Sequence, residues 1–175
     1  MSAWNRYPVV QPARSAVLSF FGFSAWVVLT FVAAALGGAA SAQAGAFYGL
    51  LAQPSWAPPG WLFGPVWSVL YALMGVSAGL VWRKRGLRGA RFALGLYLVQ
   101  LAANALWSWL FFAWRLGAIA FVEILVLWVL VLATLLVFRK IRPIAGWLLL
   151  PYLAWITFAA ALAHAVWKLN PALLG

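Results

Sequence analysis

The sequence predicts an all-α integral membrane protein, a bundle of five transmembrane helices whose Pro/Trp-rich first loop caps a ligand cavity. Three observations carry this expectation. Of the 175 residues, 67% are apolar and 7% are charged, at a mean hydropathy of +1.01, which is more apolar side chain than one soluble core could hide. Whole stretches longer than a bilayer crossing hold no charge. The basic residues gather in short connectors between those stretches.

Residues 1–14, with Arg6, Pro8, Pro12 and Arg14, form an N-terminal segment expected outside the membrane, ahead of a single transmembrane domain over 15–171. The first span is 15–36. The small-residue run from Ala40 to Ala44 resembles a signal cleavage site, but an apolar run of about 22 residues exceeds the roughly 7–15 of a signal peptide, so a retained helix is expected. The connector 39–62 holds Pro54, Pro58, Pro59 and Gly60, which do not fit inside a regular helix. Its Phe47, Tyr48, Trp56 and Trp61 stand where a solvated loop would be polar, so it should pack as a lid. The second span, 63–82, has Pro65 in its first turn, where a missing N–H costs nothing, and Arg83-Lys84-Arg85 ends it. The third span, 92–112, follows a basic loop closing at Arg91, and a tight turn around Trp114 to Gly117 leads to the fourth, 118–138. Arg139-Lys140 and Arg142-Pro143 close that span. The fifth, 144–167, stops at Lys168 and Asn170-Pro171.

Twelve Lys and Arg face one acid, Glu123. In a soluble protein that balance would point to nucleic acid. Confined to connectors, it is instead the pattern of topogenic signals and headgroup contacts, and no nucleic-acid partner is expected. Arg6, Arg14, Arg83, Lys84, Arg85, Arg88, Arg91, Arg139, Lys140 and Arg142 fall on one side, and only Arg115 and Lys168 on the other. The positive-inside rule then makes the N-terminus cytoplasmic, most simply in a bacterial inner membrane, with the lid and C-terminus outward. Cysteine is absent, and one His with one acid supplies no Ser-His-Asp or metal constellation. Conventional hydrolysis, a metal site and a resident cofactor are therefore not expected.

In the third span Gln100, Asn104, Trp107 and Phe111 recur at i, i+4, i+7 and i+11 and share one helical face. Two amides in hydrocarbon need partners: either they join neighbouring helices or they line a cavity and meet a ligand. Trp67 and Tyr71 lie at i, i+4 in the second span, and Trp155, Ala159, Leu162 and Val166 form a stripe in the fifth. All fall toward the lid side, which favours an apolar pocket with a few polar groups. Trp82, Trp114, Trp147 and Trp167 are placed as interfacial anchors. Glu123 requires a proton, a route outward toward Arg115 or a polar partner, and a structural role is expected over a proton relay because no second intramembrane acid exists. His164 reads as an interfacial hydrogen-bonding residue, not a haem ligand. Gly75 and Gly79 form a G-x-x-x-G that permits close helix approach and hints at a homodimer.

The run from Pro54 through Trp56, Pro58, Pro59, Trp61, Gly64 and Pro65 to Trp67, followed by Leu70-Tyr71, resembles the signature of the TspO/MBR family of translocator, peripheral benzodiazepine-receptor and tryptophan-rich sensory proteins. Asn104-Ala105-Leu106-Trp107 with Phe111-Phe112, Pro151-Tyr152-Leu153-Ala154-Trp155, and Trp167-Lys168-Leu169-Asn170 extend the likeness over about residues 20 to 171. The resemblance implies a five-helix fold, commonly homodimeric, whose pocket takes porphyrins, cholesterol-like lipids and benzodiazepine-type drugs for tetrapyrrole transport, sensing or stress regulation. The implied pocket comprises Trp56 and Pro59 from the loop, Trp67 and Tyr71, Gln100, Asn104 and Trp107, and Trp155, Ala159 and Leu162. It also implies an alternative, light- and oxygen-dependent breakdown of porphyrin with Trp67 and Trp155 as the residues involved; a ligand-independent structural or regulatory partner is the other alternative. The chain departs from the family pattern at Ala163, Phe47 and Gln53, and no Tyr lies between Leu162 and Lys168, so the cholesterol-recognition pattern is missing from its usual place.

Overall fold

A computed structural model describes residues 16–42 and 44–175, all helix and connection. The N-terminal segment 1–14, with its expected cytoplasmic placement, lies outside the described residues. The elements are α1 (Ala16–Ala40), α2 (Ala44–Leu50), a 3₁₀ turn (Gly60–Leu62), α3 (Phe63–Gly89), α4 (Arg91–Ser108), a π-helical turn (Trp109–Ala113), α5 (Gly117–Ile141), α6 (Pro143–Trp147), α7 (Leu150–Leu169) and α8 (Pro171–Leu174). Five helical stretches among the described residues are long and apolar enough to cross a membrane: Val17–Ala40, Gly60–Gly89, Arg91–Ala113, Gly117–Ile141 and Pro143–Leu169. The protein is a multi-pass membrane protein. Large apolar side chains such as Val122, Val126 and Val129 of α5 stand exposed on the outside of the bundle, where acyl chains are the matching solvent.

The helices outrun the expected spans. α3 continues past Trp82 through Arg83, Lys84 and Arg85 because Lys and Arg are good helix formers; a charge marks the edge of the hydrocarbon, not the end of a helix. The break comes at Gly86, whose φ of 67° and ψ of 179° are open only to glycine. The fifth span divides into α6 and α7 with Leu148 and Leu149 between. Pro151 is responsible, since it lacks an N–H to give Trp147 and its ring crowds that carbonyl. The connector 39–62 is partly helical, because α2 forms in its proline-free first half.

Gly75 and Gly79 are spent inside the chain. A Cβ on Gly75 would stand 2.9 Å from the Val27 Cα, and one on Gly79 would stand 2.5 Å from the Phe23 ring, so α1 lies directly on α3. A second copy would have to use another face. Thr30 of α1 and Tyr97 of α4 add a buried hydroxyl pair at 2.6 Å, with Thr30 donating onward to the Trp26 carbonyl at 2.7 Å. The main core runs along Met74, Ala78, Val81, Tyr97, Leu127, Val131, Phe138 and Tyr152, and a smaller cluster of Phe47, Leu51, Leu110, Phe111, Leu162, Val166 and Leu174 lies under the lid.

Candidate functional site

A cavity of about 410 Å³ opens between these two clusters, within the range of small-molecule sites. α3 contributes Trp67 and Tyr71 below Gly60, Phe63 and Gly64. α4 and its π turn contribute Asn104, Trp107, Ser108, Phe111 and Phe112, and α7 contributes Trp155, Ala159, Leu162, Ala163 and Val166. The fourth wall is the end of α1, where Ala34, Gly37 and Gly38 with Ser41 just beyond keep side-chain bulk small, and Ala44, Gly45 and Tyr48 of α2 complete the roof. The π turn is local to the site: Trp114 N–H reaches the Trp109 carbonyl at 2.8 Å, and this extra residue per turn alters how the following aromatic side chains are presented.

The walls are braced ring against ring. Trp67 meets Trp155 edge to face with centroids 6.5 Å apart, and also contacts Tyr71 at 5.6 Å and Tyr152 at 6.1 Å. Trp107 stacks on Phe111 at 5.2 Å. Edge-to-face and offset stacks of this kind hold indoles in place while leaving an apolar surface toward the cavity.

The floor is a hydrogen-bonded bridge across three helices. Tyr71 of α3 donates to Asn104 Oδ1, and Asn104 Nδ2 of α4 donates to the Tyr152 hydroxyl of α7 at 2.8 Å. Asn104 therefore answers both readings of its spacing: it lines the cavity, and its amide joins the helices. Among the described residues no Asp, Glu, Lys, Arg or His lines the cavity. Burial pushes the Tyr48 phenol of the roof above its ordinary value, so it stays neutral as well.

Seven of the ten residues named from the sequence meet here: Trp67, Tyr71, Asn104, Trp107, Trp155, Ala159 and Leu162. Three do not. Gln100 is 1% exposed on the same face of α4, but the Tyr71–Asn104–Tyr152 bridge closes the cavity one turn above it, and its amide has no hydrogen-bond partner among the described residues. Trp56 and Pro59 lie on the exposed outer part of the loop. Trp56 packs edge-on to Phe158 at 5.9 Å, and Phe158 in turn lies against Trp155 at 5.5 Å, so Trp56 backs the wall instead of forming it. Sequence reasoning missed Tyr152, although it stands three residues before Trp155 and seven before Ala159 on the same face of α7, and it missed the small-residue wall of α1.

The remaining polar residues stand apart. Glu123 makes no ion pair among the described residues, and both of its carboxylate oxygens are buried without a partner. The expected route to Arg115 is not taken, because the Arg115 guanidinium lies over the Phe47 ring at 4.7 Å. His164 is exposed between Phe121, at 4.8 Å, and Trp167, at 6.0 Å.

The chain matches the profile of the TspO/MBR family over residues 12–168. It is 41% identical to Protein CrtK of Rhodobacter capsulatus across 147 residues, covering 81% of this chain and 90% of that one. It is 41% identical to the translocator protein of Homo sapiens across 126 residues, covering 71% and 75%. To the tryptophan-rich protein TspO of Chlorobaculum tepidum it is 36% identical across 129 residues, covering 71% and 80%. With five apolar spans and a profile match over nearly its whole length, this chain belongs to the TspO/MBR family.

Proposed function

We propose that this protein binds porphyrin-type tetrapyrroles, and other flat hydrophobic molecules of sterol or drug type, in the lidded cavity between α1, α3, α4 and α7, and that it serves tetrapyrrole transport, sensing or stress regulation. One observation carries the reading: an uncharged chamber of about 410 Å³ with indole and phenyl walls, roofed by a loop and floored by a fixed polar bridge. Such a chamber favours a planar apolar body over a polar metabolite. The transport or sensing part of the reading is supported by relatives named translocator protein and tryptophan-rich sensory protein. The ten basic residues on one side support an N-terminus on the cytoplasmic face of a bacterial inner membrane.

The test is a titration of protoporphyrin into the purified protein in nanodiscs, followed by tryptophan fluorescence. Saturable quenching that weakens about tenfold or more in Ala159→Trp supports the reading; the same curve for both proteins refutes it. A second reading, light- and oxygen-dependent porphyrin breakdown, is favoured by the adjacency of Trp67 and Trp155 at the cavity. It predicts a new absorbing product under illumination with wild type and none with Trp155→Phe.

A further inference from the structure

The end of the bundle opposite the lid carries eight basic residues on two connecting segments. Arg83, Lys84, Arg85, Arg88 and Arg91 surround the α3–α4 junction, and Arg139, Lys140 and Arg142 surround the α5–α6 junction. α6, which follows the second junction, is held to α3 by the Ser77 hydroxyl donating to the Ala145 carbonyl at 2.6 Å, and it folds tightly back on α5, where a Cβ on Gly146 would stand 2.9 Å from the Arg139 backbone. Seven of these side chains are exposed and Arg142 is half-buried. The one acid of the sequence, Glu123, is sixteen residues up α5 from Arg139, or about 24 Å at a helical rise of ~1.5 Å per residue. Among the described residues no acidic side chain on this face neutralises the cations.

Two further features say what kind of counter-ion fits. Interleaved with the basic residues are bare apolar ones, Phe92 at 72% exposure, Leu87 at 59%, Ile144 at 54% and Trp147 at 52%. A soluble polyanion would leave these in water, whereas the boundary of a bilayer covers them. Two of the guanidiniums also rest on aromatic faces, Arg83 over Phe23 at 5.9 Å and Arg139 over Trp147 at 5.3 Å. Stacking of this kind holds the charge beside the ring instead of out in solvent. Gly86 breaks the axis of α3 between Arg85 and Arg88, so the cations do not continue along one helical cylinder.

We propose that this face is a binding surface for anionic phospholipid headgroups, with acyl chains lying against Phe92, Leu87, Ile144 and Trp147. The surface is independent of whatever the cavity holds. A Lys or Arg near an anionic membrane surface is worth about fivefold in affinity, so a small group of them turns general attraction into strong retention of lipid.

The test uses the full chain in nanodiscs of equimolar phosphatidylglycerol and phosphatidylcholine, released into the gas phase for native mass spectrometry. Wild type should retain phosphatidylglycerol over phosphatidylcholine by about tenfold or more. The triple variant Arg88→Gln/Arg91→Gln/Arg142→Gln should fall to near parity, while Arg115→Gln/Lys168→Gln, at the opposite end, should keep the preference. Inorganic phosphate added in excess should not displace the lipid. Equal retention of the two lipids by wild type, an unchanged preference in the triple variant, or displacement by inorganic phosphate would overturn the proposal. Should the triple variant fail to fold, Arg88→Gln and Arg142→Gln alone carry the test, each expected to lower the preference several-fold and each counting against the surface if it does not.

Discussion

Asn170 and Ala52, 118 positions apart in the chain, hold each other edge to edge: the Asn170 carbonyl accepts from the Ala52 N–H at 2.8 Å, and its amide donates to the Ala52 C=O at 2.9 Å. The same amide also donates to Val166 at 2.7 Å. One side chain at the end of α7 thus pins the loop just after α2, and with it the roof of the cavity. Replacing Asn170 with Ala removes three hydrogen bonds and frees both polar groups of Ala52, at a cost of about 1–3 kcal/mol. Thermal unfolding in detergent should show the loss, and limited proteolysis should cut the 51–60 segment faster. Asn170→Asp keeps the acceptor but turns a carboxylate oxygen toward the Ala52 and Val166 carbonyls, so it should be at least as destabilised as Asn170→Ala; a variant as stable as wild type would show that the roof is held elsewhere.

Asn104 should behave as a hub. Asn104→Leu removes the bridge that ties α3 to α7 and leaves the Tyr71 and Tyr152 hydroxyls without their partner. Hydrogen bonds between membrane helices average about 0.6 kcal/mol, up to ~1.7, so a loss of about 1–3 kcal/mol is expected for the pair. Tyr71→Phe breaks one bond and should cost less. A double-mutant cycle between positions 71 and 152 should show coupling through Asn104, and strict additivity would argue that the bridge is not one unit.

How far the site was legible follows from what periodicity encodes. Trp67 with Tyr71, Asn104 with Trp107, and Trp155 with Ala159 and Leu162 come together at the cavity because a 3.6-residue repeat determines a face. Gln100 shares the Asn104 face yet lies beneath the floor, since periodicity gives direction around a helix and not where a cavity ends along it. Trp56 and Pro59 came from resemblance alone, and their position depends on the path of an irregular chain pinned by Asn170. That pairing across 118 positions has no local signature. The five spans were readable because uncharged apolar length is a direct demand of the bilayer, whereas their ends were not, because Arg83 and Lys84 satisfy a helix as readily as they leave the hydrocarbon.

Glu123 is expected to be a net cost to stability. Both carboxylate oxygens are buried without a partner among the described residues, and an unsatisfied buried polar group costs about 1–3 kcal/mol. Glu123→Leu should therefore raise thermal stability in detergent or nanodiscs without changing ligand titrations, the residue being absent from the cavity wall. Loss of stability would reveal a partner in the membrane.

Gly75 and Gly79 look equivalent in sequence, but the structure ranks them. Alanine at either position gains about 0.8–1 kcal/mol of helix propensity over glycine, so the sign depends on what the new methyl meets. At Gly79 it meets the Phe23 ring at 2.5 Å, a side chain at the α1 surface that can turn aside. At Gly75 it meets the Val27 Cα at 2.9 Å, and a main-chain atom moves only if α1 itself backs away, loosening the packing along its whole contact with α3. Overpacking of that kind costs about 1–3 kcal/mol. Gly79→Ala should be close to neutral, and Gly75→Ala should be destabilised by about 1 kcal/mol or more, both measured by thermal unfolding in the same detergent. Because α1 is also the small-residue wall of the cavity, Gly75→Ala should weaken ligand binding and Gly79→Ala should not. The reverse order would mean that α1 is not docked on α3 through the Val27 backbone.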